Sequence, residues 1–207
     1  MTDAAGKTNE ELLKELEALR KRIFELETLE GQHRKLHEQI GGIQEDLFRT
    51  ATTDQLTGVL NRQYFEDILG REILKVRRYD TIVSVLLLDL DGFEKINRKY
   101  GYAAGDSLLK LVARIIGGYI RTSDSLARWD GDSFAILAPV DGEHSMQLAE
   151  KLKDLIAEHE VPAACNLRSS VGVTQIEADD TVETAMGRVT DALIKAKLRG
   201  KDTTDIL

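Results

Sequence analysis

The chain has 207 residues, of which 42% are hydrophobic and 31% charged, and its formal net charge is −8. The negative charge argues against broad nucleic-acid binding, which needs a basic surface, and no apolar run reaches the roughly 20 residues of a membrane span. With a single cysteine and no apolar signal segment at its start, the sequence predicts a cytoplasmic protein with one domain and an extension.

Residues 8–50 predict a coiled coil, and residues 1–7 before them are expected to be disordered. Apolar residues recur there at heptad spacing, at Leu12, Leu16, Leu19, Ile23, Leu26, Leu29, Leu36, Ile40, Ile43 and Leu47. His33 fills the position between Leu29 and Leu36, and the step from Leu26 to Leu29 is three residues where four is due. Such a phase break overwinds a coiled coil locally. We expect a homodimer through this helix; a solitary amphipathic helix folded onto the domain is the alternative.

Residues 51–207 predict an α/β domain. Helices are predicted over 61–78, 93–100, 107–120, 145–160 and 182–198. Strands are predicted as a buried run over 81–88, a hairpin of 125–128 and 134–137, a region from 164–167 into 170–174, and an edge strand at 205–207. Asp91 and Asp106 are each placed to cap a following helix, and Cys165 is expected to be a small core residue. This order predicts a central, mostly antiparallel sheet flanked by helices.

Acidic residues gather at two predicted strand ends. Asp89 and Asp91 follow the buried run, and Asp130 and Asp132 flank Gly131 at the hairpin tip. Carboxylates so placed are costly without a neighbouring cation, which a metal, a lysine or arginine, or only water can offset. The alternative for the first pair is helix capping.

Four motifs, in order and at domain-sized spacing, resemble those of the GGDEF, or diguanylate cyclase, family from about Thr52 to Leu207. They are D-Q-L-T-G-V-L-N-R from Asp54, D-L-D-G-F-E-K-I-N from Asp89, G-Y-A-A-G-D from Gly101 and A-L-I-K-A-K-L-R-G-K-D from Ala192. The signature hairpin reads Asp130-Gly-Asp-Ser-Phe134 in place of Gly-Gly-Asp-Glu-Phe. The resemblance implies a GGDEF, nucleotidyl-cyclase-like domain preceded by a long coiled-coil helix.

The resemblance also implies a nucleotide site. Working family members condense two GTP molecules, one per subunit, to cyclic di-GMP. Asp89, the Leu90 carbonyl and Asp132 match the metal ligands, and Mg²⁺ suits such oxygens if GTP binds. The groups that read guanine are matched by Asn97 and Asp106, and the cations that hold the phosphates by Lys197 and Lys201.

Three departures from the family pattern predict lost activity. Ser133 replaces the signature glutamate, Asp130 replaces a glycine that lets the backbone approach the nucleotide, and Glu94 replaces a usual lysine. One lost electrostatic group can lower a rate by about 10²–10³-fold, so the domain is expected to be inactive. The alternatives are an active cyclase with a variant signature, in which Asp130 stands in for the glutamate, and a GTP-binding or purely protein-interaction module.

Arg121 and Asp124 form an R-x-x-D pair that resembles the family's inhibitory site for cyclic di-GMP. An arginine fork can donate to guanine O6 and N7, and a carboxylate can accept from the base's N–H groups. We therefore expect a cyclic di-GMP receptor that requires no cofactor and signals to a protein partner that the sequence does not identify. The alternative is a local surface ion pair. The site's second basic residue stays open among Arg71–Arg78, Lys151 and Lys153.

Overall fold

The computed structural model describes residues 8–159 and 167–207. It divides into two compact units, Met1–Arg49 and Thr50–Leu207. The expected disorder of residues 1–7, most of the predicted strand at 164–167 and Cys165 lie outside the described residues. Within the described ranges, no helix is both long and apolar enough to cross a membrane.

The first unit consists of helix α1 (Asn9–Thr52), which continues into the start of the second. Gly31, Gly41 and Gly42 do not interrupt this helix of 44 residues. The predicted seam from Leu16 to Leu47 is left open to solvent, with its apolar side chains between 44% and 65% exposed. A helix with such an uncovered stripe has an apolar face available for a partner.

The second unit is a six-stranded sheet with helices on both faces. Its elements are β1 (Leu60–Asn61), α2 (Arg62–Tyr79), β2 (Ser84–Leu90), α3 (Phe93–Tyr100), α4 (Tyr102–Tyr119), β3 (Ser125–Asp130), β4 (Ser133–Ala138), α5 (Gly142–Glu158), β5 (Ser169–Gln175), α6 (Val182–Leu198) and β6 (Thr204–Ile206). The strand order is β1-β3-β4-β2-β5-β6, with the two outer pairings parallel and the three inner ones antiparallel. The predicted fold class is confirmed.

Strand β2 separates two hydrophobic cores. Leu86, Leu88 and Leu90 point into a core shared with α4 and α5, while Val85 and Leu87 point into one shared with α2 and α6. All five side chains are almost fully buried, which explains the continuous apolar run in the sequence. The two layers fix the carboxyl end of β2, where Asp89 lies, at the centre of the sheet.

Two predicted helix caps are wrong. Helix α4 begins at Tyr102, so Asp106 lies within its second turn, and Gly101 precedes the helix at φ 86°. The residue before α3 is Gly92, at φ 76°, and no side chain caps that helix. Asp91 instead accepts hydrogen bonds from Ser170 Oγ and from the backbone N–H of Asp202. Tertiary contacts thus engage Asp91, whereas Asp106 is no cap because α4 begins before it.

Candidate functional site

The hairpin tip is a two-residue turn, Gly131-Asp132, between β3 and β4. Gly131 has φ 45°, a conformation that favours glycine at the first turn position of a hairpin. The register shifts between Arg128 and Asp130, so that Asp130 pairs with Ser133. A bulge of this kind re-aims side chains at the end of a ladder. The tip therefore projects Asp132 beside the neighbouring strand β2.

Asp89 is the centre of the polar cluster at this tip. It pairs directly with Ser133 in the antiparallel ladder, and Ser133 Oγ donates to Asp89 Oδ2 at 2.9 Å. Lys197 Nζ, from the last turn of α6, lies 2.6 Å from Asp89 Oδ1. The carboxylate is mostly buried, and both of its oxygens are thus satisfied within the chain.

Asp132 lies in an environment that disfavours its negative charge. Burial raises the pKa of its carboxyl group above the ordinary value, and the neighbouring charges of Asp89 and Asp130 raise it further. Its own backbone N–H and Lys197 act in the opposite direction without cancelling the rise. A bound cation would relieve this unfavourable charge.

These groups form a suitable donor set for Mg²⁺. No three or more His, Cys, Asp or Glu side chains within 8–159 and 167–207 are grouped to hold a metal ion. Mg²⁺, however, commonly takes only one or two protein carboxylates and completes its shell with water and substrate phosphates. Asp89, Asp132 and the Leu90 carbonyl fit that pattern.

Asn97 and Gly105 lie against each other where α3 packs on α4. Asn97 Oδ1, on α3, is buried and has no hydrogen-bond partner within the described residues. A Cβ on Gly105 of α4 would lie 1.9 Å from that oxygen and 3.0 Å from Phe93 Cζ, so only glycine leaves the amide in place. Asp106 follows directly and is exposed. An unsatisfied buried amide oxygen is a group that a ligand N–H can satisfy.

The loop after α6 places Lys201 in a left-handed conformation. Lys201 has φ 67° and Asp202 has φ 52°, which are uncommon for residues other than glycine. Asp91 accepts from the Asp202 N–H at 2.9 Å, and Arg168 forms an ion pair with the Asp202 carboxylate at 2.7 Å. These contacts hold the loop that carries Lys201.

Arg121 and Asp124 line a separate cavity of about 270 Å³. The Asp124 carboxylate accepts from the backbone N–H of Arg121 at 2.8 Å and from Ser123 Oγ at 3.1 Å. The pair is therefore not a simple ion pair: the carboxylate orders the turn into β3. No described residue forms a hydrogen bond or ion pair with the exposed Arg121 guanidinium.

The sequence did not indicate what forms the other wall of this cavity. His144, Gln147 and Leu148 of α5 line it, whereas neither Arg71–Arg78 nor Lys151 or Lys153 does. Lys153 is buried and pairs with Glu150 at 3.1 Å. The Asp141 N-cap, three residues before His144, was the available signal for where α5 begins.

Among known families, residues 51–203 match the one described as "Diguanylate cyclase, GGDEF domain". This chain belongs to the GGDEF family. Diguanylate cyclase DgcP of Pseudomonas aeruginosa is 31% identical over 195 residues, which cover 92% of this chain and 28% of DgcP. The chain therefore spans little more than a quarter of the length of that relative.

Two solved GGDEF structures resemble the chain. The coiled coil and GGDEF domain of DgcB from Caulobacter crescentus, in complex with c-di-GMP, superposes with a TM-score of 0.82 at 23% identity, covering 88% of this chain and 99% of that one. Diguanylate cyclase SiaD of P. aeruginosa, in complex with its activator SiaC, gives a TM-score of 0.74 at 25% identity over 96% and 78% of the two chains. Because the sequence identity to DgcB is only 23%, this similarity shows the fold alone.

The prediction of an inactive GGDEF domain is wrong. The matched family is described as diguanylate cyclase and DgcP bears that name, with no indication of lost activity. The three departures were expected to add negative charge or remove ligands. Glu94, however, pairs with Arg98 on the same helix, and Ser133 binds Asp89. Asp130 is exposed. The three substitutions therefore do not simply add their charge effects at a single place in the nucleotide site.

Proposed function

We propose that this GGDEF domain condenses two GTP molecules to cyclic di-GMP with a variant signature. The observation that carries the proposal is the cluster of Asp89, Asp132 and Lys197, where β2, the hairpin and α6 meet. Burial, and then the charges of Asp89 and Asp130, raise the pKa of the Asp132 carboxyl group, and a bound Mg²⁺ ion would offset that unfavourable negative charge. The kinship to named diguanylate cyclases supports the same reaction.

Each residue has a distinct role in this proposal. Asp89, Asp132 and the Leu90 carbonyl hold Mg²⁺, which when bound polarises phosphoryl oxygens and neutralises developing charge. Asn97 Oδ1, for which no residue in the described part of the chain is a partner, accepts from a guanine N–H, and Asp106 accepts from another. Lys201 binds phosphate. Lys197 exchanges its contact with Asp89 for one with the nucleotide.

The reaction requires two GTP-loaded domains to face each other, because each 3′-hydroxyl attacks the α-phosphorus of the other nucleotide and releases pyrophosphate. The exposed seam of α1 supports a parallel homodimer that brings two domains together. Sedimentation of the full chain tests this step. A monomer at the concentrations that yield product would contradict it.

Incubation with GTP and Mg²⁺, followed by chromatography of the products, tests the reaction. We expect cyclic di-GMP from the wild type and a decrease of about 10²–10³-fold in Asp132→Asn, because a ligand to the Mg²⁺ that offsets developing charge is lost. Asp179→Asn removes an exposed acid outside the site and serves as the matched control. Equal product from the wild type and Asp132→Asn would overturn the proposal.

We further propose that the cavity at Arg121 and Asp124 binds cyclic di-GMP. The unengaged Arg121 guanidinium can donate twice to a guanine edge, and the preformed turn presents the carboxylate beside it. Isothermal titration should show binding that Arg121→Ala abolishes. Arg114→Ala, an exposed arginine of α4, should bind like the wild type. Loss of binding in both variants, or in neither, would contradict this assignment.

A further inference from the structure

His33 and His37 of α1 form a pair outside the sites described above. Their imidazole rings are nearly parallel, at 11°, with centroids 6.5 Å apart. They line an open pocket together with Leu29, Glu30, Arg34 and Glu38. Two histidines four residues apart on one helix face are spaced to bind the same transition-metal ion.

The phase break at Leu26 gives α1 two alternative seams. If the spacing of its first half continues, the seam passes through residues 30, 33, 37, 40, 44 and 47. If the spacing of its second half holds, it passes through 29, 33, 36, 40, 43 and 47. His33 belongs to both seams, whereas His37 faces a partner helix only in the first and Leu36 only in the second.

We propose that two copies of α1, paired in parallel in the first register, bind one divalent transition-metal ion such as Zn²⁺ through His33 and His37 of both copies. A structural zinc ion takes four ligands, and one chain supplies two imidazoles here, so the site is incomplete without the second copy. Imidazole nitrogen suits zinc, copper and nickel far better than Mg²⁺ or Ca²⁺.

Metal binding then selects the register. Without metal, the second register is favoured because it buries Leu29, Leu36 and Ile43 where the first would bury Glu30, His37 and Gln44. Four metal–nitrogen bonds offset that apolar loss, and their formation requires neutral imidazoles. The ion therefore favours the arrangement that the apolar pattern alone disfavours.

The inference rests on the dimer proposed above, and sedimentation in EDTA tests that dimer separately. The first experiment measures zinc binding to the full chain by equilibrium dialysis and by the visible absorption of Co²⁺ in its place. We expect one ion per two chains with a tetrahedral cobalt spectrum, lost in His33→Asn and in His37→Asn. His159→Asn, at the end of α5, is the matched control. Failure to bind zinc, or unchanged binding in the double variant, would overturn the site.

The second experiment follows the register by disulfide crosslinking in a Cys165→Ser background. Ile43→Cys should crosslink in EDTA, and Gln44→Cys should crosslink when zinc is added. Replacing His37 with Asn should abolish this exchange while leaving the Ile43→Cys crosslink in EDTA intact. Crosslinks that do not respond to zinc in a chain that binds it would contradict the register selection.

Discussion

Arg128 joins Asp54, at the start of the GGDEF domain, to the tip of the signature hairpin. Its Nη1 lies 3.3 Å from both carboxylate oxygens of Asp54, while its Nε and Nη2 donate to the Gly131 carbonyl at 3.0 and 2.7 Å. Asp54 also accepts from the N–H and hydroxyl of Thr57. One guanidinium thus fixes the turn that presents Asp132 relative to the first turn of the domain.

The Asp54 carboxylate should make stability depend on pH. Burial alone would raise its pKa, but the hydrogen bonds from Thr57 and the Arg128 charge outweigh it, so the pKa is lowered. Its stabilisation is therefore present above the unfolded pKa of about 3.9 and is lost as the pH falls through the folded pKa. We expect Asp54→Asn to have a lower urea midpoint than the wild type at pH 7. The difference between the two midpoints should be smaller near pH 3. Asp179→Asn should follow wild type at both values; an unchanged difference would contradict the assignment.

The stability contribution of Asp132 should depend on pH in the opposite direction to that of Asp54. Because its folded pKa is raised, its contribution to stability is present below the unfolded pKa and is lost as the pH rises through the folded pKa. Asp132→Asn should therefore raise the melting temperature at pH 7 while it removes activity. Mg²⁺ with GTP should stabilise wild type and not the variant. Thermal denaturation checks both points, and a less stable variant would show that the carboxylate is stabilising.

Gly105→Ala should displace the Asn97 amide. The added Cβ would overlap Asn97 Oδ1, so the side chain must leave its position. We expect weaker GTP binding, measured by titration with a non-hydrolysable analogue. Gly118→Ala lies in the same helix with open space at its Cβ, and it should stabilise α4 by up to about 1 kcal/mol with GTP affinity unchanged. Equal affinity in both variants would remove Asn97 from the guanine site.

Gly172→Ala should separate α6 from the sheet. Its Cβ would lie 2.3 Å from the Val189 carbonyl oxygen and 2.4 Å from the Leu193 nitrogen, both backbone atoms that cannot rotate away. We expect a loss of about 1–3 kcal/mol in the free energy of unfolding, as for other overpacked cores. Gly187→Ala, on α6 with no atom near its Cβ, is the control. Activity should fall with Gly172→Ala even where the domain stays folded, because α6 carries Lys197.

Ser133→Glu tests the variant signature directly. A glutamate opposite Asp89 adds the carboxylate that the family pattern contains and removes the Ser133 hydrogen bond. We expect faster turnover that needs a lower Mg²⁺ concentration. The metal-free variant should be less stable than the wild type, because two carboxylates then lie opposite each other. Ser133→Ala removes only the hydrogen bond. If Ser133→Glu is no faster than wild type, the serine is not what limits the rate.

The sequence predicted the sheet, the hairpin and the last helix because these depend on apolar periodicity and turn residues. It did not predict the roles of Asp91 and Asp106. The local capping pattern cannot reveal that Ser170 and Asp202 donate hydrogen bonds to Asp91. Nor can it reveal that α4 begins four residues before Asp106. The α5 wall of the Arg121 cavity was likewise missed, because it depends on packing between distant segments. Inactivity was inferred from each substitution alone. That inference did not consider that Glu94 pairs with Arg98 and that Ser133 donates a hydrogen bond to Asp89.

The left-handed loop at Lys201 has a thermodynamic consequence for the phosphate binding that we propose for this residue. Asp91 and Arg168 hold this unfavourable backbone conformation before any nucleotide arrives. The lysine therefore does not have to give up backbone freedom upon binding, and the ordering cost is met during folding. Calorimetry should accordingly show a more unfavourable binding entropy in Asp91→Ala, in which the loop must order around the ligand, than in the wild type.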